Sequence, residues 1–289
     1  MCWTRMKKIQ IICDFDLDGA GCCLLTKWSA PDNEYLIVGT DEKQLEEHLK
    51  NADPSIPLFV YDLAIEQKHI DLADRSNVVF MHHHDVSLPL QSKQCKIVQI
   101  QSTSCTKLLQ TFFKNKKLEE NQQKLLDIID DYDSYTLKYK KSVLLNMLFW
   151  SFNGNKLDKF IQAFEGGDRV FTEFEKNMLR IYVKKMQETI QTSEPHRLNL
   201  EKYNIIIFYA NFAINELCAD FANKYDADGA VCIDPVSLKV WVRINRNKTT
   251  LFDSGAFARN YLEGCGYKNI AGGQVTPEFV DLSQSFTKL

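Results

Sequence analysis

Nowhere in the 289 residues does an apolar run approach the ~20 residues of a membrane helix, which excludes a helical membrane span. The opening MCWTRMKK also lacks the apolar stretch of a secretory leader, so a cytoplasmic protein is expected, and Met6 begins a more usual start. The nine cysteines contain no CxxC pair, which argues against a zinc knuckle and against a disulfide framework; they read as reduced, mostly buried fillers. Positive charge is not in excess either. With 35 Lys and Arg against 38 Asp and Glu, no overall field exists to hold a long polyanion, and a short substrate fits better. There is no internal repeat and no low-complexity tract. What is present, 45% hydrophobic and 25% charged residues, suits a globular chain of one large or two modest domains.

From Lys8 to about Gln101 one phrase recurs: a short run rich in Ile, Val and Phe, then polar residues, then a helical stretch. Strands are expected at Ile9 to Cys13, Tyr35 to Val38, Leu58 to Tyr61, Val78 to Met81 and Ile97 to Ile100, giving a parallel sheet with helices on its faces. Residues 103 to about 190 read as a helical layer, with Ser104 placed to cap its first helix. Gln191 to Asn199 loses periodicity. The division expected is therefore residues 1–190, a linker over 191–202, and a smaller α/β domain over 203–289 with a cleft between the domains.

In an open parallel sheet, ligands bind beyond the carboxyl ends of the strands. Three expected strands carry metal-binding side chains there: the first runs into Asp14, Asp16 and Asp18, the third into Asp62, and the fourth into His82, His83, His84 and Asp85. Asp127, Asp130, Asp131 and Asp133 follow in the helical half, where Asp131 or Asp133 could close a metal shell. Carboxylate oxygen and imidazole nitrogen suit Mn²⁺, with Mg²⁺ the alternative. Each group also has a bland explanation: an acidic turn, a helix N-cap at Asp62, surface histidines. DFDLDG matches the start of an EF-hand loop, but Leu25 stands where that loop needs its bidentate Glu, and a strand leads in.

Together these residues resemble the DHH phosphoesterase superfamily, which includes RecJ exonucleases, nanoRNases and cyclic-dinucleotide phosphodiesterases. Asp14 to Gly19 looks like its first motif, Asp62 its second, His83 and His84 the paired His of its third, and Asp131 to Asp133 its fourth, in matching order across residues 8 to 135. The C-terminal part is similar to the DHH-associated substrate-binding domain. Arg243 or Arg246 falls at its phosphate-gripping Arg, and Ala271, Gly272, Gly273 and Gln274 at its glycine-rich loop. The resemblance implies two-metal activation of water for hydrolysis of short oligonucleotides or dinucleotides. Asp14, Asp16, Asp18, Asp62, His83 and Asp131 or Asp133 would be ligands, and His84 a donor to the phosphate.

Two departures stand out: His82 occupies the place of the name-giving Asp, and Gln274 that of an expected His, with Thr276, Pro277 and Glu278 in place of small residues. A RecJ-like single-strand exonuclease, a cyclic-dinucleotide hydrolase and, from another class, an inactive nucleotide-binding module are the competing readings. A pyrophosphatase of the same superfamily fits the glycine-rich tail less well. The sequence leaves oligomeric state open.

Overall fold

The structure, a computed structural model, describes residues 8–83, 89–114, 117–200, 202–266 and 268–289. They divide into two compact units, Met1–Leu179 and Arg180–Leu289, each described here by itself.

The first unit opens with alternating strands and helices: β1 (Lys8–Asp14), α1 (Leu17–Ser29), β2 (Glu34–Thr40), α2 (Glu42–Asn51), β3 (Leu58–Tyr61), α3 (Gln67–Leu72), β4 (Val78–His82) and β5 (Lys96–Gln99). The strands form a parallel sheet in the order β2-β1-β3-β4-β5. Strands β3 and β4 are buried at every position, as continuous apolar runs in a sheet covered on both faces require. One face packs Ile12, Leu58, Val60, Val78 and Phe80 against Leu45 and Leu49 of α2 and Ile70 of α3.

Helices α4 (Cys105–Phe112), α5 (Glu120–Asp133), α6 (Lys140–Ser151), α7 (Lys156–Ala163) and α8 (Glu173–Thr192) follow. Ser104 caps α4 as the sequence suggests, its hydroxyl accepting from the Lys107 amide at 3.0 Å. Helix α7 was not anticipated, although Asn155 caps it through the Asp158 amide. Its eight residues are too few for a strong periodic signal.

The second unit contains β6 (His196–Leu200), β7 (Tyr203–Tyr209), α9 (Ile214–Lys224), β8 (Gly229–Ile233), β9 (Lys239–Ile244), α10 (Ser254–Tyr261), β10 (Cys265–Gly266), β11 (Ile270–Gln274), α11 (Pro277–Ser283) and β12 (Thr287–Lys288). Its mixed sheet has the order β10-β11-β9-β8-β7-β6-β12, with only β7 and β8 parallel. The expected linker over 191–202 is therefore corrected: it holds β6, paired antiparallel with β7 from His196 to Leu200. A short strand preceded by Ser193 and Pro195 lacks its own sequence signal, because the partner strand supplies the hydrogen bonds. The division between the units also falls earlier, within α8.

Helix α1 approaches α4 closely at Gly21, where a β-carbon would meet Thr106 Oγ1 at 2.4 Å and Ile129 Cδ1 at 3.1 Å. Gly166 has nothing within 4 Å. Gly21→Ala is expected to lower stability by about 1–3 kcal/mol through overpacking, and Gly166→Ala to change it by less than about 0.5 kcal/mol. Thermal unfolding of the two variants beside the parent checks this.

Candidate metal centre

The adjacent strands β1, β3 and β4 end at one edge of the sheet, and each delivers a potential ligand as it ends: Asp14 from β1, Asp62 after β3, His83 after β4. Asp16 and Asp18 enter from the turn into α1, and Asp133 from the last turn of α5. Two donor triads result. Atoms of Asp14, Asp16 and Asp62 lie within 4.8 Å of one another, as do those of Asp18, His83 and Asp133. The triads adjoin, since His83 Nε2 stands 3.2 Å from Asp62 Oδ1 and 3.5 Å from Asp133 Oδ2.

Local backbone donors fix each side chain. Asp14 Oδ1 accepts from the Phe15 amide at 2.7 Å, and Asp16 Oδ1, as N-cap of α1, from the Gly19 amide at 2.8 Å. Gly19 must lack a side chain, because a β-carbon there would meet the Asp14 carbonyl oxygen at 2.1 Å. Asp18 reaches the start of α4, where the Cys105 amide donates to Oδ2 at 2.7 Å and the Thr106 amide to Oδ1 at 2.9 Å. A carboxylate on the first amides of a helix is stabilised by charge-assisted bonds and by the helix dipole. Asp62 adopts a left-handed backbone, φ 59°, which a non-glycine residue holds only where its surroundings impose it.

His83 is oriented from behind. Its Nδ1 lies 3.2 Å from the Ser102 carbonyl oxygen, which can only accept, so Nδ1 carries the proton and the Nε2 lone pair faces the carboxylates. Asp62 Oδ1 is buried and has no hydrogen-bond partner. His83 Nε2 and Asp62 Oδ1 stand 3.2 Å apart, a nitrogen and an oxygen donor placed to share a cation.

The electrostatics agree. Burial, then the Asp14 and Asp18 charges, push the Asp16 carboxyl well above the usual range. Burial and the charges of Asp18, Asp16 and Asp133 do the same at Asp62. Asp133 is raised by desolvation and then by Asp18 and Asp16. No Lys or Arg among the described residues forms an ion pair with any of the three. Nearby thiols are unsuited as ligands: burial pushes Cys105 up to about 12 and raises Cys22 well above its ordinary value. The donors are oxygen and nitrogen, which fits Mn²⁺ or Mg²⁺.

Of the residues expected here, Asp14, Asp16, Asp18, Asp62, His83 and Asp133 come together. Asp131 does not join them. Its carboxylate accepts from the Thr136 hydroxyl at 2.6 Å and the Lys138 and Tyr139 amides at 2.8 and 3.0 Å, bonds that outweigh its burial and hold its pKa down. His84 and Asp85 lie outside the described residues. His82, in the place of the name-giving Asp, ends β4 on the face of Val78 and Phe80; both ring nitrogens are buried without partners, and burial, then His83, lowers its pKa to about 4. A cavity of about 1120 Å³ along β2, lined by Lys27, Trp28, Leu36 and Ile161, contains none of these donors.

In the second unit, Arg243 of β9 is only 6% exposed. Its Nε donates to Asn215 Oδ1 at 2.8 Å, and its Nη1 to the Val242 and Ala271 carbonyls at 2.9 Å. These acceptors are neutral, and among the described residues Arg243 forms no salt bridge. Arg246 lies just beyond β9 and is exposed. The glycine-rich loop expected at Gly272, Gly273 and Gln274 is instead strand β11, paired with β9. Close packing explains its glycines: a β-carbon on Gly273 would meet the Leu262 carbonyl oxygen at 2.4 Å, and one on Gly264 the Gly272 oxygen at 2.1 Å. The turn signal was misleading because glycine serves close backbone approach as well as turns.

No protein-family model matches the sequence, and no curated protein matches it. Solved structures do. The pGpG-specific phosphodiesterase PggH from Vibrio cholerae is 13% identical, with 96% of each chain covered and a TM-score of 0.57. RecJ from Thermus thermophilus in complex with Mn²⁺ is 10% identical with a TM-score of 0.61, over 97% of this chain and 51% of that one. Its Mg²⁺ complex gives 9% and 0.52, over 97% and 49%. This chain thus spans about half the length of the Thermus thermophilus RecJ chain. The likeness shows the fold, and the expected α/β class, with a parallel sheet and helical layer followed by a smaller α/β part, is borne out.

Two outcomes are expected of the site. Asp62 has a folded-state pKa above the ~3.9 of an unfolded Asp, so its contribution is fully present below that value and lost as pH rises through the folded pKa. In metal-free protein, Asp62→Asn should therefore gain stability relative to the parent as pH rises above about 4, read by urea unfolding; a pH-independent difference would contradict this. Asp131→Ala should destabilise the metal-free fold by about 2–4 kcal/mol, whereas Asp133→Ala should leave it intact and reduce the thermal shift caused by Mn²⁺.

Proposed function

We propose that the chain is a divalent-cation-dependent phosphodiesterase that hydrolyses short oligonucleotides or dinucleotides. The observation that carries this reading is the pair of adjoining donor triads, with the bond-free Asp62 Oδ1 facing His83 Nε2 between them. Asp14, Asp16 and Asp62 would hold one ion, and Asp18, His83 and Asp133 the other, with Mn²⁺ the preferred ion and Mg²⁺ the alternative. When bound, such a pair supplies water activation at neutral pH and charge stabilisation on both sides of the phosphorus.

The protein's own contribution is preorganisation. The Gly19 amide aims Asp16, the α4 amides aim Asp18, and the Ser102 carbonyl fixes the tautomer of His83, so little reorganises when substrate arrives. In the second unit, the buried Arg243, bonded only to neutral acceptors, supports a role in gripping a phosphate, with Arg246 as a second candidate.

Short substrates are favoured over long duplexes by the balance of 35 basic against 38 acidic residues, which provides no broad positive track. The likeness to a pGpG-specific phosphodiesterase over nearly the whole of both chains supports a dinucleotide. RecJ-like removal of nucleotides from a single strand is the second reading, favoured by the likeness to RecJ. A cytoplasmic location accords with both; no described helix is long and apolar enough to cross a membrane.

With Mn²⁺, the purified chain is expected to hydrolyse a 5′-phosphorylated dinucleotide, and Asp62→Ala and His83→Ala to lower kcat/KM at least about a hundredfold, equivalent to roughly 3 kcal/mol of transition-state stabilisation. Product analysis over dinucleotides, cyclic dinucleotides and single-stranded oligomers checks this. Parent activity left unchanged by both substitutions would exclude the assigned centre.

A further inference from the structure

Phe15 lies between the ligand candidates Asp14 and Asp16, yet its side chain is used elsewhere. The ring covers Gly39 of β2, where a β-carbon would meet Phe15 Cδ2 at 2.5 Å, and it meets two aromatic residues from the end of α6. Phe149 lies edge-on at 6.1 Å between centroids, and Trp150 at 6.4 Å with planes at 80°. Phe149 is fully buried and braces both neighbours, standing 5.4 Å from Trp150. Trp150 itself is 41% exposed. A part-exposed indole is thus buttressed by two rings, one of them the side chain of the residue between Asp14 and Asp16.

A cation accompanies it. Lys156, the first residue of α7, places Nζ 5.2 Å from the Trp150 ring and 5.8 Å from the Phe15 ring, and it has no acidic partner among the described residues. If this cluster were only a patch of core, the outermost member would be the one covered; here the large aromatic is open and the neighbouring charge is without a counter-ion. A part-exposed aromatic ring beside a positive charge suits a nucleobase attached to a phosphate.

We propose that Trp150, braced by Phe15 and Phe149, is the stacking platform for a nucleobase of the substrate, and that Lys156 faces the adjoining phosphate. This rests on the phosphodiesterase reading above and deepens it: the nucleotide is gripped within the first unit, through a base face rather than base-edge hydrogen bonds, so discrimination among bases at this subsite is weak. Trp150 is a binding residue, not a catalytic one.

The test uses the full chain with Mn²⁺, an intact 5′-phosphorylated dinucleotide, and two versions lacking the 5′ or the 3′ base. Trp150→Ala is expected to lower kcat/KM on the intact dinucleotide about ten- to a hundredfold, mostly through KM, while leaving one of the abasic substrates unaffected. Trp150→Phe should retain most of the parent's activity, and Lys156→Ala should weaken all three substrates alike. Equal losses on intact and both abasic substrates, or no loss at all, would overturn the platform while leaving the hydrolase standing. A second readout does not need turnover: quenching of tryptophan fluorescence by a methylene-bridged dinucleotide in Mg²⁺. Quenching that vanishes in Trp150→Phe supports the platform, and quenching that persists undiminished overturns it, even if the parent proves inactive.

Discussion

Mutual repulsion among crowded carboxylates, some buried and some half-buried, is the constraint around which the first unit is arranged. Asp16, Asp62 and Asp133 each carry a pKa raised by burial and by neighbouring carboxylate charge, and no Lys or Arg among the described residues pairs with them. Such a cluster costs the metal-free fold stability. It persists because the backbone holds it: the turn into α1 fixes Asp16, the left-handed conformation fixes Asp62, and the end of α5 fixes Asp133. Divalent cations would turn that repulsion into coordination energy, so binding and stability are coupled at this site.

Asp18 ties this arrangement to the rest of the unit. Both of its carboxylate oxygens accept amides at the start of α4, 87 and 88 residues further along the chain. The same bonds satisfy two donors that the first turn of a helix leaves open and hold α1 against α4. Gly21 permits that contact and Gly19 permits the tight turn before it, so both glycines after Asp18 serve close approach. The fold and the centre are therefore built by the same few residues, which suits a site that must be rigid before its ions arrive.

The second unit handles charge differently. A single arginine is buried in β9 among neutral acceptors, and packing around α10 demands the glycines of β10 and β11. The first unit concentrates negative charge that calls for cations; the second holds positive charge that calls for an anion.

Much of this was legible in the sequence. Apolar runs ending in Asp14, Asp62 and His83 announced β1, β3 and β4, because a strand buried on both faces must be continuously apolar and its loop must carry the polar groups. Sequence could not choose between Asp131 and Asp133, two residues apart on one helix. The choice was made by the chain after α5, which turns through left-handed Tyr135 and Leu137 and brings the Thr136 hydroxyl and the Lys138 and Tyr139 amides onto Asp131, leaving Asp133 to the centre. Nor could it show that β6 completes a sheet, that the glycines of β11 are packed rather than looped, or that Trp150 stands beside Phe15. Local pattern determines which residues form a strand or carry a ligand; which of them meet depends on hydrogen bonds and contacts between segments far apart in the chain, and these exist only once it has folded.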